Sequence, residues 1–273
     1  MGQITGSPSH EENPAVGDNV GIEAPQLEAR FLLLCEHASS HIPERFAALG
    51  LEPDVTNSHV AWDIGALAVA LRLSALLDAP LIYPTASRLV IDCNRALDHP
   101  GLIVGETEFG SVPGNLNLAP DEREQRIAAI HRPFHEAVDD ILASRQARNL
   151  HSCLISIHSF TPTFRGRARP WHFGLIYDND DRLALQLRTA LIAAGEIQVA
   201  LNQPYCLSDG VYYSLARHGE ANGLLCVMIE IRDDLIRTSA DQERITGQLA
   251  DALLMVEIAS DNISRASPRE IVP

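Results

Sequence analysis

Short apolar runs alternate with longer amphipathic stretches along most of the chain. Several of these runs are apolar at consecutive positions, which is typical of parallel strands buried on both faces of a sheet. Seven runs are predicted as strands: RFLLLC (30–35), PLIYP (80–84), RLVIDC (88–93), CLISIH (153–158), HFGLIY (172–177), IQVAL (197–201) and LLCVMIEI (224–231).

The stretches between these runs repeat their apolar residues at the helical period. Asp63 and Ser239 are candidate N-caps, and Gly195 is a candidate residue for the position just after a helix. The alternation of strands and helices predicts a three-layer α/β/α fold with a mixed, mainly parallel sheet. The predicted helices are DIGALAVALRLSALLD from Asp63, a segment over about 120–145, DRLALQLRTALIAAG, and SADQERITGQLADALLMVEIAS from Ser239.

The chain of 273 residues is long enough for one hydrophobic core, and residues 26–273 are predicted to form a single catalytic α/β domain. Residues 1–25 are polar and are predicted to be a flexible, partly extended arm. They lack the basic start and the apolar core of a secretory signal. No apolar run reaches the roughly 18 residues that a membrane helix needs, so no membrane segment is predicted.

Acidic residues outnumber basic ones by 36 to 21, which gives a formal net charge of −15 and disfavours nucleic acid or an anionic membrane as partner. All the basic residues are arginines. The absence of lysine excludes Schiff-base chemistry, pyridoxal anchoring and a phosphate-binding P-loop. Any anionic substrate must therefore be bound by guanidinium groups.

The five cysteines are odd in number and show no C-x-x-C spacing, and four of them lie in or beside apolar runs. This pattern indicates reduced core residues of a cytoplasmic protein rather than disulfides or thiolate metal ligands.

Charged side chains and histidines follow the ends of the predicted strands. His37 follows LLLC, His158 follows LISI, and Glu230 lies in VMIEI. In parallel sheets the carboxyl ends of the strands meet at one edge, so we expect these three side chains to be close together. Two histidines and one further carboxylate, for which Asp63 is the candidate, suffice to bind catalytic zinc. Glu230 is then a candidate general base for water activated by the metal.

A structural role is the alternative for each of these residues. A single histidine at a strand end is more often a core or surface side chain than a ligand, and Asp63 is equally well explained as an N-cap. A buried Glu230 needs either a charged partner or a function. Arg232, two residues further on the same strand face, is its candidate partner and also a candidate substrate contact.

The segment SRLVIDCNR (87–95) contains Arg88, Asp92, Asn94 and Arg95. The two arginines could form ordinary salt bridges. In an acidic chain without lysine, however, they are also natural binders of a substrate carboxylate, because the planar guanidinium makes bidentate contacts.

Six segments together resemble the N-formylglutamate amidohydrolase family: CEHASSHIP, HVAWDIGA, SRLVIDCNR, SIHSF, NQPY and IEIRDD. The resemblance covers roughly residues 30–250. It implies hydrolysis of N-formyl-L-glutamate to formate and L-glutamate, a step of histidine degradation. It also implies a phosphorylase/hydrolase-like α/β fold, similar to that of zinc carboxypeptidases and zinc-dependent N-acetylmuramoyl-L-alanine amidases.

Carried over by position, the resemblance implies Zn²⁺ or another divalent metal held by His37, Asp63 and His158, with Glu230 as the catalytic base. Arg88 is expected to help stabilise the tetrahedral oxyanion. The substrate-binding group that the resemblance implies is Arg88, Asn94 and Arg95.

The chain departs from the related carboxypeptidases after its first strand. They carry an H-x-x-E motif, whereas Ser40 stands three residues after His37. The second metal ligand must therefore come from elsewhere. Asp63 is preferred, and Glu36 and His41 are the alternatives.

HRPFH places His131 and His135 four residues apart, which is formally a metal-binding spacing on a helix. Pro133 between them is expected to kink the helix, which disfavours a second metal site. The family pattern also has a P-[FY]-H element here, which implies that His135 faces the substrate.

Two loops carry further polar residues. FRGRARPWHFG presents Arg165, Arg167 and Arg169 as either a solvated basic loop or an anion-attracting lid over the site. NQPYCLSDGVYYSLARHG is a glycine-containing loop in which Tyr212 or Arg217 could close over a substrate.

Three other classes of protein stay open at this point. The first is a cysteine amidase that uses Cys35 or Cys93 with a nearby histidine. The second is a carboxylate-binding protein of the same fold without catalysis. The third is a peptidase or peptidoglycan amidase, the latter being disfavoured by the lack of an export signal.

Overall fold

The structure is a computed structural model that describes residues 19–24 and 28–263, with side chains described up to residue 256. Its strands in this part of the chain are β1 Val20–Glu23, β2 Phe31–Leu34, β3 Leu81–Pro84, β4 Glu106–Thr107, β5 Gly110–Ser111, β6 Cys153–Phe160, β7 Thr163–Phe164, β8 Arg167–Ala168, β9 Phe173–Ile176, β10 Val199–Leu201 and β11 Leu225–Arg232.

The helices of the same residues are α1 Pro53–Thr56, α2 Ala66–Leu77, α3 Pro120–Arg126, α4 Arg132–Ala147, α5 Arg182–Ala193, α6 Tyr213–His218 and α7 Ser239–Ile263. A π-helical turn, Ile127–His131, joins α3 to α4. No helix in this described part is long and apolar enough to cross a membrane.

Seven of the strands form one sheet in the order β1-β3-β2-β6-β11-β9-β10, and β4-β5 and β7-β8 are separate hairpins. The pairs β3-β2, β2-β6, β6-β11 and β9-β10 are parallel, whereas β1 and β9 run antiparallel to β3 and β11. The sheet is therefore mixed and mostly parallel. This confirms the predicted fold class.

Helices cover both faces of the sheet. Leu33, Ile155 and Ile229 point into a core with α2, α5 and α7. Leu34 and Met228 point the other way, into a core with α4 and α6. Since successive strand residues face opposite sides and both sides are covered, these strands must be apolar at nearly every position.

The predicted strand at RLVIDC is wrong. Residues 88–90 form a turn, in which the Val90 N–H donates to Ser87 O, and residues 91–92 are irregular, with the Asp92 N–H donating to Leu102 O. Leu89, Val90 and Ile91 are nonetheless buried. The segment is apolar because it packs in the core, and its backbone bonds go to neighbouring loops instead of a sheet.

The ends of three elements also differ from the prediction. The arm predicted over 1–25 lies mostly outside the described residues, and its described part contains strand β1. Helix α2 begins after Gly65 instead of at Asp63. Before α7, Thr238 Oγ1 accepts from the Asp241 N–H, so Thr238 instead of Ser239 caps that helix. Gly195 follows α5 as predicted.

Candidate active site

The carboxyl ends of β2, β6 and β11 meet at one edge of the sheet. His37 follows β2, whereas His158 and Glu230 are direct partners in the β6-β11 ladder. Together with Asp63, from the loop before α2, they line a cavity of about 100 Å³. The cavity is also lined by Arg88, Asn94, Arg95, Ser159, Tyr205, Val211 and Met228.

Asp63 reaches this edge because of its local backbone. Its N–H donates to His37 O at 2.9 Å. Gly65 then turns the chain into α2 with a positive φ of 80°, and a Cβ there would lie 2.5 Å from Ile236 O. Only glycine fits this turn without strain. The turn lets helix α2 start after Gly65, and Asp63 therefore stays in the preceding loop with its carboxylate facing the histidines.

His37, Asp63 and His158 each offer one ligand atom, and these atoms lie within 4.8 Å of one another. Asp63 Oδ2 lies 2.8 Å from Nδ1 of His158 and 3.4 Å from Nδ1 of His37. All three side chains are buried. The structure thus brings the three predicted ligands together, and no other such group is found among the described residues.

A second carboxylate stands behind each imidazole. Asp92 Oδ1 lies 2.8 Å from Nε2 of His37, and Glu36 Oε2 lies 3.1 Å from Nε2 of His158. The Ser156 hydroxyl also donates to Glu36, at 2.6 Å. Carboxylates that accept from one ring nitrogen orient the other nitrogen toward a metal. Both Nδ1 atoms therefore face Asp63.

The residues fit a divalent cation on the chemistry of their donors. Two imidazole nitrogens and one carboxylate oxygen are a usual set for catalytic zinc. Burial lowers the pKa of His158, but its hydrogen bonds to Asp63 and Glu36 outweigh this effect and raise the pKa well above its usual range. Burial also raises the pKa of Asp63, and His37 and His158 lower it below its usual value. Positive charge is thus stabilised between these groups.

Glu230 is a buried carboxylate whose Oε2 has no hydrogen-bond partner in the described residues. Burial raises its pKa to about 8, against the charges of His158, Arg88 and Arg169, which lower it. A carboxyl group with such a pKa can exchange a proton near neutral pH. An unpaired acid of this kind beside a cation site is typical of a catalytic group.

Arg88 is the arginine that lies nearest the histidines. Its Nη2 pairs with Asp92 Oδ2 at 2.7 Å, and its Nη1 lies 3.0 Å from Nδ1 of His37. Arg95 has no carboxylate within ion-pair distance in the described chain, and its Nη1 donates to the carbonyls of Asn94 and Gly210. Arg95 therefore lines the cavity with its charge uncompensated by a direct partner.

Asn94 lines the cavity but has both side-chain atoms occupied. Its Nδ2 donates to Val211 O, and its Oδ1 accepts from the Ser214 N–H at 3.0 Å. The residue therefore ties the loop before α6 to the segment that carries Asp92 and Arg95.

Arg232, predicted as a substrate contact and as the partner of Glu230, does not line the cavity. Its Nε donates to Asp234 at 2.7 Å, and its Nη1 donates to Pro170 O at 2.9 Å. The guanidinium binds these acceptors because both lie close to Arg232, the last residue of β11. Of the alternatives to Asp63, His41 is exposed, and Glu36 stands behind His158.

His135, predicted to face the substrate, lies outside the cavity lining in a buried chain of hydrogen bonds. Its Nε2 is 3.0 Å from Cys93 O, its Nδ1 is 2.8 Å from Nε2 of His218, and Nδ1 of His218 is 2.9 Å from Oδ1 of Asp139. Next to it, Nε2 of His131 lies 2.9 Å from Arg95 O.

Burial makes both imidazoles of this chain weakly basic. It lowers the pKa of His135 to about 2, and it also lowers the pKa of His218 below its usual value, although the neighbouring Asp139 carboxylate acts in the opposite direction. The Cys93 carbonyl can only accept, so Nε2 of His135 carries a proton and donates to it. The histidines hold the backbone on either side of Asn94 instead of binding a second metal.

Replacing Asp139 with Asn is expected to lower the free energy of unfolding by about 1 kcal/mol, because Nδ1 of His218 and Nη2 of Arg217 lose their charged acceptor. Asp140→Asn is the matched control, since Asp140 is exposed on the same helix and is expected to cause no change. Urea unfolding followed by circular dichroism measures both. Equal stabilities of the two variants would show that these contacts of Asp139 do not stabilise the fold.

A buried acid and two histidines at the carboxyl ends of the strands of an α/β sheet are residues suited to hydrolysis. The family model of N-formylglutamate amidohydrolase matches residues 29–237. The chain therefore belongs to the N-formylglutamate amidohydrolase family, and it is a hydrolase that acts on amide bonds. This confirms the resemblance carried by the six segments.

Two solved structures are similar to the chain over nearly its whole length. Gene product Atu2144 from Agrobacterium tumefaciens is 43% identical, with a TM-score of 0.84 over 88% of this chain and 97% of that one. N-formylglutamate amidohydrolase from Ralstonia eutropha JMP134 is 19% identical, with a TM-score of 0.71 over 89% and 99%. The second likeness shows the shared fold. No curated protein sequence matches the chain.

Proposed function

We propose that the protein is a metal-dependent amidohydrolase that removes the formyl or a similar acyl group from an acidic amino acid. N-formyl-L-glutamate is the first candidate substrate, with formate and L-glutamate as products. The observation that carries this proposal is the buried carboxylate of Glu230 next to His37, Asp63 and His158, whose Oε2 has no hydrogen-bond partner within residues 19–24 and 28–256.

In this proposal a divalent cation, with Zn²⁺ as the first candidate, would be held by His37, Asp63 and His158. When bound, the cation polarises the scissile carbonyl and lowers the pKa of water toward about 7. In the structure Nδ1 of His158 lies 2.8 Å from Asp63, and Nδ1 of His37 lies 3.0 Å from Nη1 of Arg88. A cation would replace these two contacts, and Asp92 and Glu36 would keep the imidazole protons on Nε2.

Glu230 accepts a proton from the attacking water as the water oxygen bonds to the acyl carbon. The C–N bond of the amide then breaks, and Glu230 returns this proton to the leaving amine. Arg88 stabilises the negative oxygen of the tetrahedral species, since its guanidinium reaches the ligand histidine. Arg95 binds a carboxylate of the substrate.

The cysteine alternative is less well supported by the environment of the thiols. Burial raises the pKa of both Cys35 and Cys93 well above the usual range, and neighbouring carboxylates add to this effect. A thiol held neutral in this way is a poor nucleophile. All five cysteines are free, as predicted, which supports a cytoplasmic location.

The test is a formate-release assay over N-formyl and N-acetyl amino acids, combined with elemental analysis of the purified protein. We expect about one divalent ion per chain, the highest turnover with N-formyl-L-glutamate, loss of activity on chelation, and recovery when Zn²⁺ is returned. Activity that survives chelation but not thiol alkylation would favour the cysteine enzyme. Binding of formylglutamate without formate release would indicate a carboxylate-binding protein.

A further inference from the structure

Arg169 lies at the base of the β7-β8 hairpin and is 9% exposed. Its N–H donates to Pro162 O at 2.8 Å, which closes the hairpin and fixes the start of the side chain. The two other arginines of this segment, Arg165 and Arg167, are exposed. One arginine of the predicted basic loop is therefore buried, and two are solvated.

The guanidinium of Arg169 has no carboxylate partner among the described residues. Its only side-chain hydrogen bonds there are long ones, at 3.4 Å to the Thr161 hydroxyl and 3.5 Å to the Tyr205 hydroxyl. Its carbon Cζ lies 4.7 Å from the ring centre of Phe164 and 5.0 Å from that of Tyr205. A buried cation without a counterion is unfavourable unless an anion is supplied from elsewhere.

Aromatic contacts of this kind suit anion binding. Rings that face the guanidinium plane leave its N–H edges directed away from them, and these edges match a planar carboxylate. Arg169 is not among the residues that line the active-site cavity, but Tyr205, on whose ring its guanidinium packs, lines the cavity together with Glu230. The charge of Arg169 also acts on Glu230 itself.

Two guanidinium groups without a carboxylate partner in the described residues thus contact the loop between β10 and α6 (residues 202–212). Arg95 donates to Gly210 O near the end of the loop, and Arg169 stacks on Tyr205 near its start. The Arg88 guanidinium, in contrast, is already paired with Asp92. A substrate with two carboxylates could be held at both positions.

We propose that Arg169 and the ring of Tyr205 form the subsite for the side-chain carboxylate of the substrate, so that Arg169 determines the preference for acidic over neutral acyl amino acids. This inference rests on the proposed amidohydrolase function. In that function Arg95 binds the other carboxylate. Arg169 is then a specificity-determining residue, whereas the sequence indicated either a solvated basic loop or an anion-attracting lid for this segment.

The experiment compares N-formyl-L-glutamate with N-formyl-L-glutamine, which has nearly the same shape but no side-chain charge. In Arg169→Met we expect kcat/KM for formylglutamate to fall about 10- to 100-fold, mainly through KM, because one charge-assisted contact is lost. For formylglutamine we expect less than about a threefold change. Arg169→Lys should keep part of the preference, and Arg167→Met, the matched control on the hairpin, should behave as wild type.

An equal loss with both substrates would overturn the proposal, because Arg169 would then act only on the fold or on Glu230. Thermal unfolding of each variant shows whether the fold is retained, and the Arg169→Lys variant serves if Arg169→Met is unstable. The affinities for L-glutamate and L-glutamine, measured by calorimetry, give a second readout that does not depend on catalysis. A preference for glutamate that vanishes in Arg169→Met supports the subsite even if no formate is released, and no preference in wild type overturns it.

Discussion

Glu230→Gln is expected to lower kcat by about 10³-fold while the metal content stays unchanged. The amide has the shape of the carboxyl group but cannot take a proton from water. The fold should be retained, because Oε2 of Glu230 has no partner to lose and the change removes a buried acid. Formate release, elemental analysis and thermal unfolding of the same preparation measure the three quantities.

Glu243→Gln, at an exposed position of α7, is the control for this substitution and should have no effect. Turnover of Glu230→Gln near the wild-type rate would contradict the role of Glu230 as the base. Loss of turnover together with loss of the metal would instead assign Glu230 to the ligands.

Asp63→Asn is expected to weaken metal binding by more than about 100-fold, because the carboxylate that faces both Nδ1 atoms is removed. Asp92→Asn should cause a smaller loss, in the range of about 10- to 100-fold, since Asp92 only orients His37. Titration against a chelator of known affinity measures both. The rise in unfolding temperature on adding Zn²⁺ gives a second readout that needs no activity.

Asp54→Asn, on the exposed first turn of α1, is the control and should bind the metal like wild type. The informative result is the order of the three variants in their affinity for the metal. Equal affinity of Asp63→Asn and wild type would remove Asp63 from the ligands. A larger loss in Asp92→Asn than in Asp63→Asn would make Asp92 a ligand in its place.

Sequence reasoning did not indicate the side-chain partners of Arg232 and His37, and the two cases have the same cause. Arg232 shares a strand face with Glu230, yet Pro170 O and Asp234 draw its guanidinium away. Asp92 is 55 residues from His37, and no local pattern pairs them. The direction of a long side chain and its partner depend on segments that only the folded chain brings together.

The order of apolar runs in this chain is sufficient to predict a parallel α/β sheet and to place His37, His158 and Glu230 at one edge of it. The spacing of apolar residues along a segment is a local property of the sequence. Once the strands are known to be parallel, their carboxyl ends must lie at one edge of the sheet. Only the tertiary structure decided that RLVIDC is a buried loop and that His135 belongs to a hydrogen-bonded chain. It also decided that Arg169 is buried with no counterion among the described residues. Burial and pairing are properties of contacts between distant segments, so they follow from the packed structure and not from the order of residues.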